Sequence, residues 1–291
     1  RIGIVRSFFK KESPDWVIAY QETPSLVACL AKVTGCKFRL IVSERNTTQT
    51  IGMNERVRFF LYRWADAIVP NSYAQEEFLS THYAWMKCKI KTITNFVDLE
   101  HFSYVDRKRR DVPEIVVAAS IWGSKNTIGF IETVRILAEK GYKFHVSWYG
   151  KTENNICYFN KCVKKIEGWL LHNIIALKEQ TKRIKQVYQD ADYFCLPSFY
   201  EGTPNVICEA ISTGLPVICS NVCDNHIYVQ AGINGFLFEP HNSEDMAIKI
   251  SEALNLSEQD YSTFGYNSRT IAENKLSEDK FANSYIEIIE S

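Results

Sequence analysis

Glycine and proline are scarce in this chain, 13 and 8 among 291 residues. With 46% hydrophobic and 23% charged residues, that scarcity excludes collagen-like, low-complexity and largely disordered chains. Long apolar runs are missing too: none approaches the ~20 residues that a membrane-spanning helix needs. The chain opens Arg1-Ile2-Gly3 without a charged-then-apolar leader, so no signal peptide is expected. Its nine cysteines contain no Cys-x-x-Cys pair, and the odd count argues against a zinc site. Cys195, Cys208 and Cys219 lie in apolar segments, where a free thiol behaves as a small hydrophobe, and a reduced, cytosolic chain is expected. Six histidines are scattered without metal-ligand spacing. There is no Gly-x-Gly-x-x-Gly, no Walker loop and no Gly-x-Ser-x-Gly. The dinucleotide fingerprint, the P-loop and the hydrolase elbow are therefore excluded.

Net charge is zero but unevenly placed. Residues 1–111 carry 18 Lys/Arg against 12 Asp/Glu, and residues 112–291 carry 16 against 22. A basic first half can meet an anionic partner such as a membrane surface, or can simply complement an acidic second half. No nucleic-acid partner is expected. Within the first half, residues 55–64 gather Arg56, Arg58 and Arg63 with Phe59, Phe60, Tyr62 and Trp64. A helix of that composition can lie on an anionic membrane, although burial in the first domain is the favoured expectation.

The length suggests two domains. Short apolar runs at 16–20, 38–43, 67–70, 90–93, 115–119, 144–149, 174–177, 193–196, 216–219 and 236–238 read as strands. Several are continuous Val/Ile/Phe runs, as in parallel sheets covered on both faces. Helix-period stretches separate them; 127–140 places Ile128, Ile131, Val134 and Leu137 at three-to-four spacing. Residues 1–11 read as a helix, and helices close the chain from about 243. Strand and helix in alternation mean an α/β doubly wound fold. Residues 95–112 break the alternation with Arg107-Lys108-Arg109-Arg110, a basic run expected to be solvated. The expected division is a first domain at 1–104, a linker at 105–113, a second domain at 114–275, and a last helix within 276–291 that packs back on the first.

The most informative stretch runs from Leu196 to Ala210, Leu-Pro-Ser-Phe-Tyr-Glu-Gly-Thr-Pro-Asn-Val-Ile-Cys-Glu-Ala. A strand ends near Leu196 and a helix starts near Pro204, with Thr203 as its expected cap. In open parallel sheets ligands bind where strands end and helices begin, and a helix start favours an anion such as a pyrophosphate. Gly202 lets a ligand approach the backbone. Glu201 lies in the loop, and Glu209 lies inside the helix, where a carboxylate can accept two hydrogen bonds from a ribose diol.

This stretch resembles the Glu-x7-Glu signature of the family 4 retaining glycosyltransferases, with Glu201 and Glu209 at its acidic positions. Ser43-Glu44-Arg45-Asn46 is similar to an acidic-Arg-Asn turn of such enzymes. Ala65–Ser72 (Ala-Asp-Ala-Ile-Val-Pro-Asn-Ser) and 93–98 are similar to later elements of their first domain. Gly214-Leu215-Pro216-Val217 and Gly232–Leu237 are similar to their strands beyond the signature.

The resemblance implies the GT-B fold, two Rossmann-like doubly wound parallel-sheet domains facing across a cleft. It also implies a truncated member, because the family's opening strand and Gly-rich turn have no counterpart here. Glu201 and Lys125 are the implied catalytic residues. Ser120, Lys125, Asn126, Gly150, Gly202, Thr203, Pro204, Asn205 and Glu209 are the implied donor-binding set. Glu44, Arg45, Asn46 and Ser72 are implied on the acceptor side. A Lys at 125 would place a point charge beside the departing pyrophosphate. Ser120 stands where the family often has an Arg, and the usual His of the first domain is missing. Asp190-Ala191-Asp192 precedes a strand, away from the ligand crevice, and is not read as a metal site.

The implied activity is transfer of a sugar, with retention, from a UDP- or GDP-sugar to a saccharide or lipid-linked acceptor in cell-surface polysaccharide synthesis. Neither a metal nor another cofactor is expected. The implied location is cytoplasmic, at the inner face of the membrane if the basic half makes peripheral contact. A GT-B-fold sugar-nucleotide epimerase and a catalytically silent nucleotide-sugar-binding protein are the alternatives.

Overall fold

The computed structural model describes residues 2–48, 50–152 and 155–291. The chain divides into one unit reaching Asn95 that also contains Asp279–Ser291, and a second unit, Phe96–Glu278.

The first unit comprises α1 (Ile2–Glu12), β1 (Trp16–Tyr20), α2 (Glu22–Val33), β2 (Arg39–Glu44), α3 (Met53–Leu61), β3 (Ala67–Pro70) and α4 (Tyr73–His82). Its three strands are parallel in the order β1-β2-β3, with Ile18 beside Ile41 and Val42 beside Ile68. Side chains alternate across a strand. Leu40 and Val42 therefore pack with Cys29, Phe59 and Tyr62, while Ile41 packs on the other face with Tyr285 and Ile288. The expected strand at 90–93 is reduced to a single bridge, Ile68 to Ile90. Lys91 N still donates to Ile68 O at 3.0 Å, and Thr92 turns its hydroxyl to Glu76.

The second unit comprises β4 (Glu114–Ala118), α5 (Thr127–Glu139), β5 (His145–Tyr149), α6 (Ile156–Gly168), β6 (Ile175–Lys178), α7 (Ile184–Gln189), β7 (Tyr193–Leu196), α8 (Asn205–Ser212), β8 (Val217–Ser220), α9 (Asn225–Tyr228), β9 (Gly235–Phe238), α10 (Ser243–Leu254) and α11 (Glu258–Lys275). Its sheet is parallel throughout, in the order β6-β5-β4-β7-β8-β9. Both faces are covered: Ile115 and Val117 point into one core layer with Phe130, Val134 and Trp148, while Val116 and Ala118 point into the other with Phe194, Leu196 and Ile207. That double burial is the reason these strands read as unbroken apolar runs. Cys195, Cys208 and Cys219 are fully buried free thiols whose pKa burial pushes well up, as small hydrophobes rather than nucleophiles. Among the described residues no helix is long and apolar enough to cross a membrane. The last helix, α12 (Glu278–Glu290), lays Tyr285 and Ile288 on the first sheet.

The basic run expected to be a solvated linker is instead bonded into the second unit. Arg107 donates to Thr213 O at 2.6 Å and Tyr188 O at 3.1 Å, Arg109 to Leu254 O at 2.9 Å, and Arg110 to Asp190 O. These carbonyls sit at the ends of α8, α7 and α10, where helices leave acceptors without an internal partner. The run thus caps helices.

Candidate active site

In the second sheet β4 and β7 are neighbours, and the chain leaves them in opposite directions, toward β5 and toward β8. Their carboxyl ends therefore splay apart and open a crevice at the switch point of the sheet. Residues 119–126 and 197–204 form its rims, joined by Phe199 N to Ser124 O at 2.9 Å.

On one side lies a pocket of about 380 Å³, lined by Ser120, Tyr149, Gly150, Gln180, Thr181, Tyr188 and Glu209 among others. Gly150 makes this wall possible. A Cβ there would stand 1.9 Å from the carbonyl oxygen of Ala119, so only glycine lets the ends of β4 and β5 approach so closely. Glu209 projects from α8 and accepts from the Tyr188 hydroxyl at 3.1 Å. Burial raises its pKa above the usual carboxylate range, and the Tyr188 hydrogen bond partly offsets this. Tyr188 is itself pushed well up, first by burial and then by the Glu209 charge.

Between the two rim segments, Lys125 Nζ lies 2.6 Å from Glu201 Oε1, with side chains 25% and 12% exposed; neither residue lines the pocket. Lys125 ends a short 3-10 turn, Gly123–Lys125, rather than opening α5 directly. Residue 126 then takes a left-handed conformation, φ 54°, before the helix starts. Gly202 and Thr203 are half-buried in the loop between Glu201 and α8, and Asn205 is exposed at the first helical position. The capping position belongs to Pro204, not to Thr203 as expected, and proline has no side-chain oxygen to cap with.

Three further residues of the implied sites are buried and engaged within the chain. Asn126 is buried, and its amide donates to Pro240 O at 2.8 Å, which anchors a turn. Glu44 is fully buried, accepting from Tyr62 and paired with Arg58 at 3.4 Å, contacts that hold the first unit together. Burial raises its pKa against the opposing Arg58 charge. Ser72 is likewise buried, capping α4 by accepting from Gln75 N at 3.2 Å. Arg45 is held by Asn95 Oδ1 at 2.7 Å and the Tyr285 hydroxyl at 3.1 Å, and Asn46 is exposed at the bend after β2. Tyr149, Gln180, Thr181 and Tyr188 were not singled out from sequence. The first three lie at or just beyond the ends of β5 and β6, where the strand-end rule could have found them. Among the described residues no three His, Cys, Asp or Glu side chains gather as a metal site.

The strand order and the switch-point crevice are those of a nucleotide-binding Rossmann-like unit, and with the parallel sheet before it the chain has the GT-B fold of glycosyltransferases. Its fold matches the HepE protein Alr3699 of Anabaena, solved in complex with UDP, with a TM-score of 0.88 at 17% identity over 99% of this chain and 81% of that one. Residues 112–256, just under half of the chain, match the family described as Glycosyl transferases group 1. Among curated relatives, the UDP-Gal:alpha-D-GlcNAc-diphosphoundecaprenol alpha-1,3-galactosyltransferase of Escherichia coli is 30% identical over 165 residues, 52% of this chain and 41% of that protein. The capsular polysaccharide biosynthesis glycosyltransferase CapM of Staphylococcus aureus is 30% identical over 149 residues, 50% and 38% of the two chains. The matched stretches thus span about two fifths of these relatives' length.

Proposed function

We propose that the protein is a glycosyltransferase of cell-surface polysaccharide synthesis. In this reading it moves a sugar from a nucleoside diphosphate sugar, with UDP or GDP as carrier, to a saccharide or lipid-linked acceptor. The observation that carries the reading is the pocket lined by Ser120, Gly150 and Glu209, together with the Lys125–Glu201 pair that joins the two rim segments of the same crevice. The names of the relatives in capsule and lipid-linked saccharide assembly support the same class.

The roles follow from charge and position. Glu209 accepts from the ribose diol in the pocket. Lys125 and the first turn of α8 meet the diphosphate. Glu201 orients hydroxyls of the transferred sugar. As the bond from C1 to the diphosphate oxygen breaks, its electron pair leaves with the diphosphate, and Lys125 stabilises the charge gathering there. The acceptor oxygen bonds to C1, and its proton passes to the departing diphosphate oxygen. Retention belongs to this reading by resemblance; it also includes independence of divalent metal, a cytoplasmic place expected from the free cysteines, and peripheral membrane contact through the basic first half.

A thermal-shift panel of UDP-, GDP- and ADP-sugars, with and without EDTA, tests it. A ligand at 100 times its dissociation constant adds about 2.7 kcal/mol, a rise of a few degrees for a chain of this size. One carrier should raise the midpoint equally with and without EDTA. A flat response from an intact fold would contradict the reading, and a response lost in EDTA would contradict its metal-free form.

A further inference from the structure

Among the described residues, the helix α3 buries one side and leaves the other exposed. Arg58 and Phe59 face inward, followed by Tyr62 in the 3-10 turn beyond it. Met53, Val57, Phe60 and Trp64 are 75%, 50%, 53% and 37% exposed. At about 100° per residue Met53, Val57 and Phe60 fall within a ~60° arc, and Trp64, in the 3-10 turn that follows, meets Phe60 edge-on with ring centres 5.7 Å apart. They form an apolar stripe, not scattered surface residues.

Its flank is basic. Arg56 and Arg63 are exposed along one edge of the stripe. The Arg63 guanidinium lies 5.4 Å from the ring centres of both Phe60 and Trp85, and exposed Lys87 follows Trp85 by two residues. Lys89 ties this corner down by donating to Arg63 O at 2.9 Å and Ala65 O at 2.7 Å. The acidic residue of the helix, Glu55, points to the other side and is engaged with Gly52 N at 2.9 Å.

We infer that this face, Met53, Val57, Phe60 and Trp64 flanked by Arg56 and Arg63, seats the first unit on an anionic lipid bilayer. Apolar side chains enter the boundary between headgroups and acyl chains, tryptophan sits at the interface, and arginines reach the lipid phosphates. Charge decides between occupants. A basic rim around an apolar stripe complements anionic lipid, whereas a second copy would set arginine against arginine. The inference deepens the proposed function, on which it rests for a lipid-linked acceptor, but its physical basis is the stripe and its basic rim.

Co-sedimentation with phosphatidylcholine vesicles, with and without phosphatidylglycerol and without nucleotide, tests it. Binding should require phosphatidylglycerol and weaken as salt rises. Phe60→Ser with Trp64→Ser should reduce it at least about tenfold, and Arg56→Gln or Arg63→Gln roughly fivefold each. These residues are exposed, so circular dichroism and the melting midpoint should stay as in the parent chain. No binding to anionic vesicles would overturn the inference. So would binding that the stripe variants leave intact, or a dimer that those variants dissociate. A chain that bound vesicles but no nucleoside diphosphate would refute the proposed function and leave this inference standing.

Discussion

Lys125 and Glu201 were expected to hold different parts of a donor, yet the structure pairs them at 2.6 Å. The pairing changes what each substitution should do. Removing Lys125 takes away a charge facing the diphosphate: Lys125→Ala should cost roughly 1.5–3 kcal/mol of diphosphate binding and leave the nucleoside nearly unaffected. Removing the Glu201 charge frees Lys125. Glu201→Gln should therefore tighten diphosphate binding several-fold while lowering turnover by about 10²–10³. Calorimetry and initial rates measure both; equal losses for diphosphate and nucleoside in Lys125→Ala would show the role to be misplaced. Glu209 makes a pH prediction. Burial raises its pKa above that of an ordinary carboxylate, so the folded chain holds this proton more tightly than the unfolded one. Its contribution to stability is present at low pH and is lost as pH rises from the unfolded to the folded pKa. Nucleoside binding needs the carboxylate as acceptor and should run the other way, strengthening as pH rises through the folded pKa. Glu209→Gln should remove most of that dependence, weaken binding, and raise the melting midpoint at neutral pH. A midpoint that fell would contradict the assigned cost of burial.

At the scale of elements, most strands were legible to within a residue, because a parallel sheet buried on both faces leaves unbroken apolar runs. What the sequence hid were partners distant along the chain. Nothing near Glu44 announces Tyr62 and Arg58, and nothing near Asn126 announces Pro240. An acidic-Arg-Asn turn therefore read as a site although its acid is a buried strut. Arg58→Ala should confirm this, since it strands a fully buried carboxylate and should cost about 3–5 kcal/mol in denaturant unfolding. A loss within ~0.5 kcal/mol would place Glu44 in solvent contact after all. The basic run read as a linker misled for a related reason: a guanidinium serves a helix end as readily as water, and charge pattern alone does not distinguish them. Gly150, by contrast, was legible as a donor-side position only through resemblance, and the structure supplies its physical reason. Gly150→Ala should drive the ends of β4 and β5 apart, costing about 1–3 kcal/mol and weakening nucleotide binding. An unchanged affinity would show that the pocket does not depend on that approach.

For the whole molecule, the two-domain reading rested on length and on a shift of charge, and two compact units are present. The second unit holds the pocket, the paired charges and the family match together, within 112–256 apart from the outer helices. The first unit contributes a basic, partly apolar surface, and Glu44 and Ser72 are spent on its own stability. Nucleotide chemistry should accordingly reside in the second unit. The most direct test is calorimetric titration of UDP and of GDP, each beside its nucleoside, into the chain and into Glu209→Gln and Lys125→Ala. One diphosphate should bind at a single site, more tightly than its nucleoside; Glu209→Gln should weaken both ligands, and Lys125→Ala the diphosphate alone. Binding of neither diphosphate to the folded chain, or binding that both substitutions leave unchanged, would contradict the account.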